Sequence, residues 1–123
     1  INAGHPPPLV VRGGEVLAMA EGGLAVGMFT AVDYPVARFQ MQGGDVLVLY
    51  TDGVIEAANE KDEEYSRERL GAAVAARRRL PAAELQAAVL EDIKGFCGRD
   101  EFADDLTLMV VKFLGNNPAI QSR

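Results

Sequence analysis

Two apolar runs, each abutted by aspartate, constrain this chain more than any other feature. Val46-Leu47-Val48-Leu49-Tyr50 leads directly into Thr51-Asp52-Gly53, and Asp104-Asp105 leads directly into Leu106-Thr107-Leu108-Met109-Val110-Val111. Both runs are short, continuously apolar and rich in β-branched residues, the pattern of strands buried on both faces. One aspartate motif ends its strand and the other begins its strand. Antiparallel pairing in one sheet brings both to the same edge, where carboxylate oxygens suit hard cations such as Mg²⁺ or Mn²⁺.

The rest of the chain supplies partners for these strands. Pro6-Pro7-Pro8 is extended and feeds a strand over Leu9 to Arg12. Gly13-Gly14 suits a tight hairpin turn, with a return strand from Glu15 to Ala20. Glycines 22, 23 and 27 punctuate a loop up to Pro35. A third strand is expected over Val36 to Gln42, where Phe39 and Met41 alternate with Gln40 and Gln42. Gly43-Gly44 turns the chain into the strand from Asp45 to Thr51. Val54 to Glu60 does not alternate, which favours a short helix or irregular segment over the second arm of an Asp-Gly hairpin.

Two helices follow. Ser66 is the expected N-cap of the first, which buries Leu70, Ala73 and Val74 and closes at Arg77-Arg78-Arg79. That basic triplet reads as helix-end and solvation chemistry. Pro81 suits the first turn of the second helix, whose stripe is Leu85, Val89, Ile93 and Phe96, and Gly98 is its stop. The last strand is Leu106 to Phe113. This order predicts an α+β fold, a mostly antiparallel sheet packed by a helix pair. Residues 1–114 are expected to form one domain portion, and 115–123 a polar tail.

The net charge of −6 argues against a nucleic-acid partner. A single cysteine, Cys97, excludes an internal disulfide framework and a Cys-based zinc site. No apolar run approaches a membrane span and no signal peptide opens the chain, so a cytoplasmic setting is the default expectation. The chain opens at Ile1 without an initiator Met and reads as part of something longer. Neither GxGxxG nor GxxxxGK[ST] is present. His5, the sole histidine, sits between Gly4 and Pro6 and reads either as a structural hydrogen-bonding group or as a catalytic imidazole. Asp104-Asp105, with Asp100 and Glu101 nearby, also fits a solvated acidic loop, as does the run from Glu60 to Glu64.

Taken together, Asn2-Ala3-Gly4-His5-Pro6-Pro7, the stretch Gly43 to Ala57 containing Thr51-Asp52-Gly53-Val54-Ile55-Glu56-Ala57, Arg69-Leu70, and Asp104-Asp105-Leu106-Thr107 occur in an order that resembles the metal-dependent PPM serine/threonine protein phosphatases, in the bacterial branch named after stage II sporulation protein E. The resemblance spans Asn2 to Phe113. It implies an α-β-β-α sandwich of which this chain is the C-terminal half, and two Mn²⁺ or Mg²⁺ ions that activate a water for attack on phosphoserine or phosphothreonine. It makes Asp52 and Asp104 metal ligands, places Asp105 second to Asp104, and gives Gly53 and His5 supporting positions. The implied substrate is a phosphoprotein of the anti-sigma-factor-antagonist type. The family's bridging Asp has no counterpart here, and the resemblance does not extend that role to Asp45. A half domain is expected to be inactive alone and to self-associate, as a homodimer for example. A non-catalytic regulatory module that keeps the fold is the alternative function, and an unrelated acidic α+β binding domain is a third.

Overall fold

A computed structural model describes residues 6–18, 38–98 and 105–115. Among these residues the elements are β1 (Leu9–Arg12), β2 (Glu15–Ala18), β3 (Val46–Tyr50), α1 (Asp52–Ile55), α2 (Ser66–Ala76), α3 (Ala82–Cys97) and β4 (Leu108–Lys112). The four strands form one sheet in the order β2-β1-β3-β4, antiparallel at every pairing. Helices α2 and α3 cover one face: α2 lies over β1 and β2, and α3 over β4. This is the α+β arrangement the sequence predicts.

The core forms between that face and the helices. Leu9, Val11, Val46, Val48, Tyr50 and Leu108 point from the sheet into Leu70, Ala73, Val74, Leu85, Val89, Ile93 and Cys97. The helix stripe therefore buries as its spacing requires. Phe96 is only half-buried; its ring packs edge-on against Tyr65 at 5.5 Å and beneath the Arg69 guanidinium at 4.4 Å. Gly71 lets α2 lie close on β2, since a Cβ there would approach Val16 Cγ1 to 3.0 Å.

Three local features follow the sequence. Gly13 (φ 57°) and Gly14 (φ 96°) take the left-handed conformations of the β1–β2 turn. Ser66 is the first residue of α2, at φ 72°, one residue later than the N-cap expected of it, which falls on Tyr65; its Oγ still accepts a long hydrogen bond of 3.4 Å from the Arg69 amide. Gly98 ends α3 at φ 69°.

Two expectations need correction. Arg38 to Gln42, the described part of the expected third strand, forms no strand; Val36 and Ala37 lie outside the described residues. Here side chains replace a ladder. Arg12 Nη2 donates to the Gln40 carbonyl at 3.0 Å, and the Gln42 amide donates to Asp45 Oδ2 at 2.8 Å. Phe39 is held by the Arg12 guanidinium 4.9 Å from its ring centre. The second correction concerns burial. The apolar runs predict strands covered on both faces, yet away from the helices Leu49 (37%), Met109 (53%) and Val111 (42%) are exposed. The register pairs Leu49 with Met109 and Leu47 with Val111, so these residues form one apolar patch.

Asp45, at the entry to β3, is buried and grips Arg12 with both carboxylate oxygens, at 3.0 and 2.8 Å. This fork fixes the turn before β3 to the end of β1. The Arg12 bonds hold the Asp45 carboxyl below the usual carboxylate range, against the opposing effect of burial. Because the folded-state pKa is depressed, the stabilisation is present above the ordinary aspartate range and disappears as pH falls through the depressed value. Acid unfolding of the wild type should therefore steepen below about pH 4, and Asp45→Asn should flatten that limb. An unchanged profile by circular dichroism would remove this role. In urea, Ile93→Ala should cost about 2–5 kcal/mol while Met109→Gln stays within about 0.5 kcal/mol. Equal costs would contradict the one-sided core.

Candidate functional site

The β3–β4 pairing continues past the ladder. Beyond the Tyr50–Leu108 pair, the Thr51 amide donates to the Thr107 carbonyl at 3.1 Å, and the Thr107 amide donates to Thr51 Oγ1 at 3.0 Å. Thr51 is extended (φ −97°, ψ 165°) and the chain then turns into α1, with Asp52 as its first residue. Val54 is fully buried and anchors that turn. The short helix agrees with the reading of Val54 onward and excludes an Asp-Gly hairpin.

Gly53 sets how closely the two aspartate segments approach. A Cβ there would collide with the Asp105 carbonyl oxygen and lie 3.6 Å from Leu106 Cα. Only a residue without a side chain lets α1 sit flush on the segment entering β4. The structure thus brings Asp52, Gly53 and Asp105 to one sheet edge, as the antiparallel reading requires. Asp104 and His5 lie outside the described residues.

The two carboxylates at this edge contrast with Asp45 at the other end of β3. Asp52 and Asp105 are exposed, and no described residue donates a hydrogen bond to either side chain. Asp45 is buried and accepts three hydrogen bonds, two from Arg12 and one from the Gln42 amide. Asp45 is therefore a structural residue, which agrees with withholding a ligand role from it. Carboxylates without protein partners beside backbone carbonyls form the hard oxygen set that Mg²⁺ and Mn²⁺ take. Among the described residues no group of three or more His, Cys, Asp or Glu is gathered for a metal.

Supporting residues not assigned roles from sequence complete the edge. Tyr50 donates its hydroxyl hydrogen to the Pro7 carbonyl at 2.8 Å, and Arg67 Nε donates to the Tyr50 oxygen at 3.0 Å. This relay ties the segment following His5 to β3 and α2 just behind Thr51. The only signal in sequence is a tyrosine ending an apolar strand, where a buried hydroxyl needs a partner. The acidic run Glu60 to Glu64 is exposed, as expected, and is folded by Asn59, whose Oδ1 accepts from the Lys61 and Glu63 amides at 2.9 and 3.0 Å. Behind it Tyr65 donates to Asp92, and burial together with that bond pushes the tyrosine pKa up.

Comparisons with known proteins place these features. Protein IcfG of Synechocystis sp. is 30% identical over 112 residues, covering 90% of this chain and 18% of IcfG. The structure of the RsbU and RsbW domains of Rv1364c from Mycobacterium tuberculosis superimposes with a TM-score of 0.76 at 26% identity, covering 94% of this chain and 33% of that one. The Mn-presoaked phosphatase domain of the cell fate determinant SpoIIE from Bacillus subtilis superimposes with a TM-score of 0.72 at 21% identity, covering 94% and 50%. The chain thus spans half or less of each of these three proteins. The sequence profile of the family Stage II sporulation protein E (SpoIIE) matches residues 1–114, and the chain belongs to that family, with the fold of its phosphatase domains.

Proposed function

We propose that residues 1–114 are the C-terminal portion of a metal-dependent protein phosphatase domain that hydrolyses phosphoserine or phosphothreonine on a regulatory protein of the anti-sigma-factor-antagonist type. The observation that carries this reading is the Gly53–Asp105 contact. It holds two exposed carboxylates, without partners among the described residues, at one edge of a sheet that the family's solved phosphatase domains share.

In this reading Asp52 and Asp104 ligate divalent ions, Mn²⁺ or Mg²⁺, and Asp105 flanks them. Such ions, when bound, neutralise phosphate charge and lower the pKa of a coordinated water, so no protein nucleophile is required. This chain's own residues do the holding. Thr51 and Thr107 lock the two segments in register, Gly53 sets their separation, and Val54 fixes the direction in which α1 leaves the site. Pro7, two residues after His5 in the sequence, is held by Tyr50, whose hydroxyl also accepts from Arg67. A reaction on the phosphoester further requires ligands beyond Asp52 and the second aspartate pair. The 123-residue chain by itself therefore binds metal weakly and turns over little substrate.

Titration of the chain with Mn²⁺ should give a dissociation constant on the order of 0.1–1 mM, the range of sites with few charged ligands. Asp52→Asn should weaken it about tenfold or more. Unchanged affinity in that variant, or rapid p-nitrophenyl phosphate hydrolysis by the chain alone, would sink the assignment. Gly53→Ala separates geometry from charge: it removes no carboxylate yet should lower both Mn²⁺ affinity and thermal stability, because the added methyl pushes Asp105 away.

A further inference from the structure

At the end of β3 opposite the aspartate edge, a cavity of about 520 Å³ is lined by Arg12, Arg78, Arg79, Lys112, Asp45 and the glycine turns. It lies about 20 Å from Asp52, by the rise of the intervening strand, and shares no residue with that edge. We propose that it is the basic half of a docking groove for an acidic protein segment, one carrying carboxylates or a phosphorylated side chain.

The charge balance favours an anion. Four cations line the cavity against one carboxylate, Asp45, which is already bonded to Arg12. Glu15 also lies within electrostatic reach of Arg12, and the excess remains positive in a chain whose net charge is −6. Donors remain to be used. Arg12 engages Nε and Nη2, leaving Nη1. Lys112 Nζ donates to the Arg78 and Leu80 carbonyls at 2.8 and 2.9 Å, leaving its third hydrogen. Arg78 donates Nη1 to the Ala75 carbonyl, and its guanidinium lies over Gly14 with Nη2 uncommitted. Arg79 is exposed and bonds to no described residue. The helix-end reading of the triplet accounts for Arg77 and Arg78, and solvation for Arg79, whose guanidinium stays free to meet a ligand.

Shape selects a polypeptide over a small ion. A second cavity of about 550 Å³, lined by Ala76, Arg77, Arg78, Arg79 and Leu80, shares Arg78 and Arg79 with the first. The surface is therefore elongated: beyond the shared arginines it continues to Arg77, which is paired with Asp92, and Leu80 and Ala76 offer it an apolar contact. A nucleic acid long enough to extend beyond the groove meets the negative field of the remaining surface.

Fluorescence anisotropy with a labelled deca-glutamate peptide tests this, using the full 123-residue chain in EDTA and about 50 mM salt, where surface charges act over longer range than at physiological strength. The peptide should bind, and Arg79→Glu should weaken binding about tenfold or more. Lys61→Glu, the same charge change in the distant acidic loop, should alter it by no more than about twofold. Arg79 has no described partner, so circular dichroism of the variant should match the wild type. Tighter binding of a phosphoserine-containing peptide would identify phosphate as the preferred group. No binding by either peptide, equal losses in both variants, or tighter Arg79-dependent binding of a labelled oligothymidylate would overturn the proposal.

Discussion

The antiparallel pairing of β3 with β4 is the interaction on which the other features depend. Five residue pairs from Val46–Lys112 to Tyr50–Leu108 join segments far apart in sequence. Closing that loop costs conformational entropy before any contact repays it. Repayment comes from Val48, Tyr50 and Leu108, which this pairing carries into the helix layer, and from α3 docking on β4 through the bond from Gln86 Nε2 to the Leu108 carbonyl at 2.7 Å. The Thr51–Thr107 bonds and the Gly53–Asp105 contact exist only because this register is fixed. A slip of one residue would turn Leu108 away from the core and separate Gly53 from Asp105.

The two ends of β3 show how the chain divides stability from function. Asp45 and Asp52 are the same residue type at opposite ends of one strand. Asp45 is desolvated, yet two bonds from Arg12 and one from the Gln42 amide compensate it, so its charge strengthens the fold. Asp52 stays in solvent with no such compensation, and its charge remains available to a ligand. An aspartate buried against an arginine fork has three of its roughly four lone-pair sites occupied and its charge already neutralised, so it offers little to a cation. This local accounting, more than the glycine-aspartate motif around Asp45, separates the structural residue from the candidate ligand.

Legibility in the sequence followed the range of the interaction. The helix stripes, the Gly13-Gly14 turn, the start of α2 at Ser66 and the Gly98 stop are local and were readable. The edge that joins Asp52 to Asp105 was readable because each motif directly abuts its own apolar run. Phe39 and Met41 mimicked strand alternation. What holds their segment is Arg12, 33 positions from its partner Asp45, and no periodicity reports that pair. The same holds for the basic groove. Arg77-Arg78-Arg79 looks like a helix end when read alone; only the order β1-β3-β4 sets Arg12 and Lys112 on either side of Asp45 and next to the triplet.

The exposed patch on the open face of the sheet gives the apolar runs their meaning. A strand covered on one side needs apolar residues only at alternate positions, and water-facing positions tolerate polar ones. Here the positions of β3 and β4 on that face are the half-buried Leu47 and the exposed Leu49, Met109 and Val111, while Val10 on the same face is fully buried. Leaving leucine, methionine and valine at such sites gains nothing for a sheet with one covered face. The runs are therefore written for a sheet covered on both faces, which is the central arrangement of an α-β-β-α sandwich. The helix-covered face accounts for the stability of the described fold, and the apolar open face accounts for why the same strands carry no alternation.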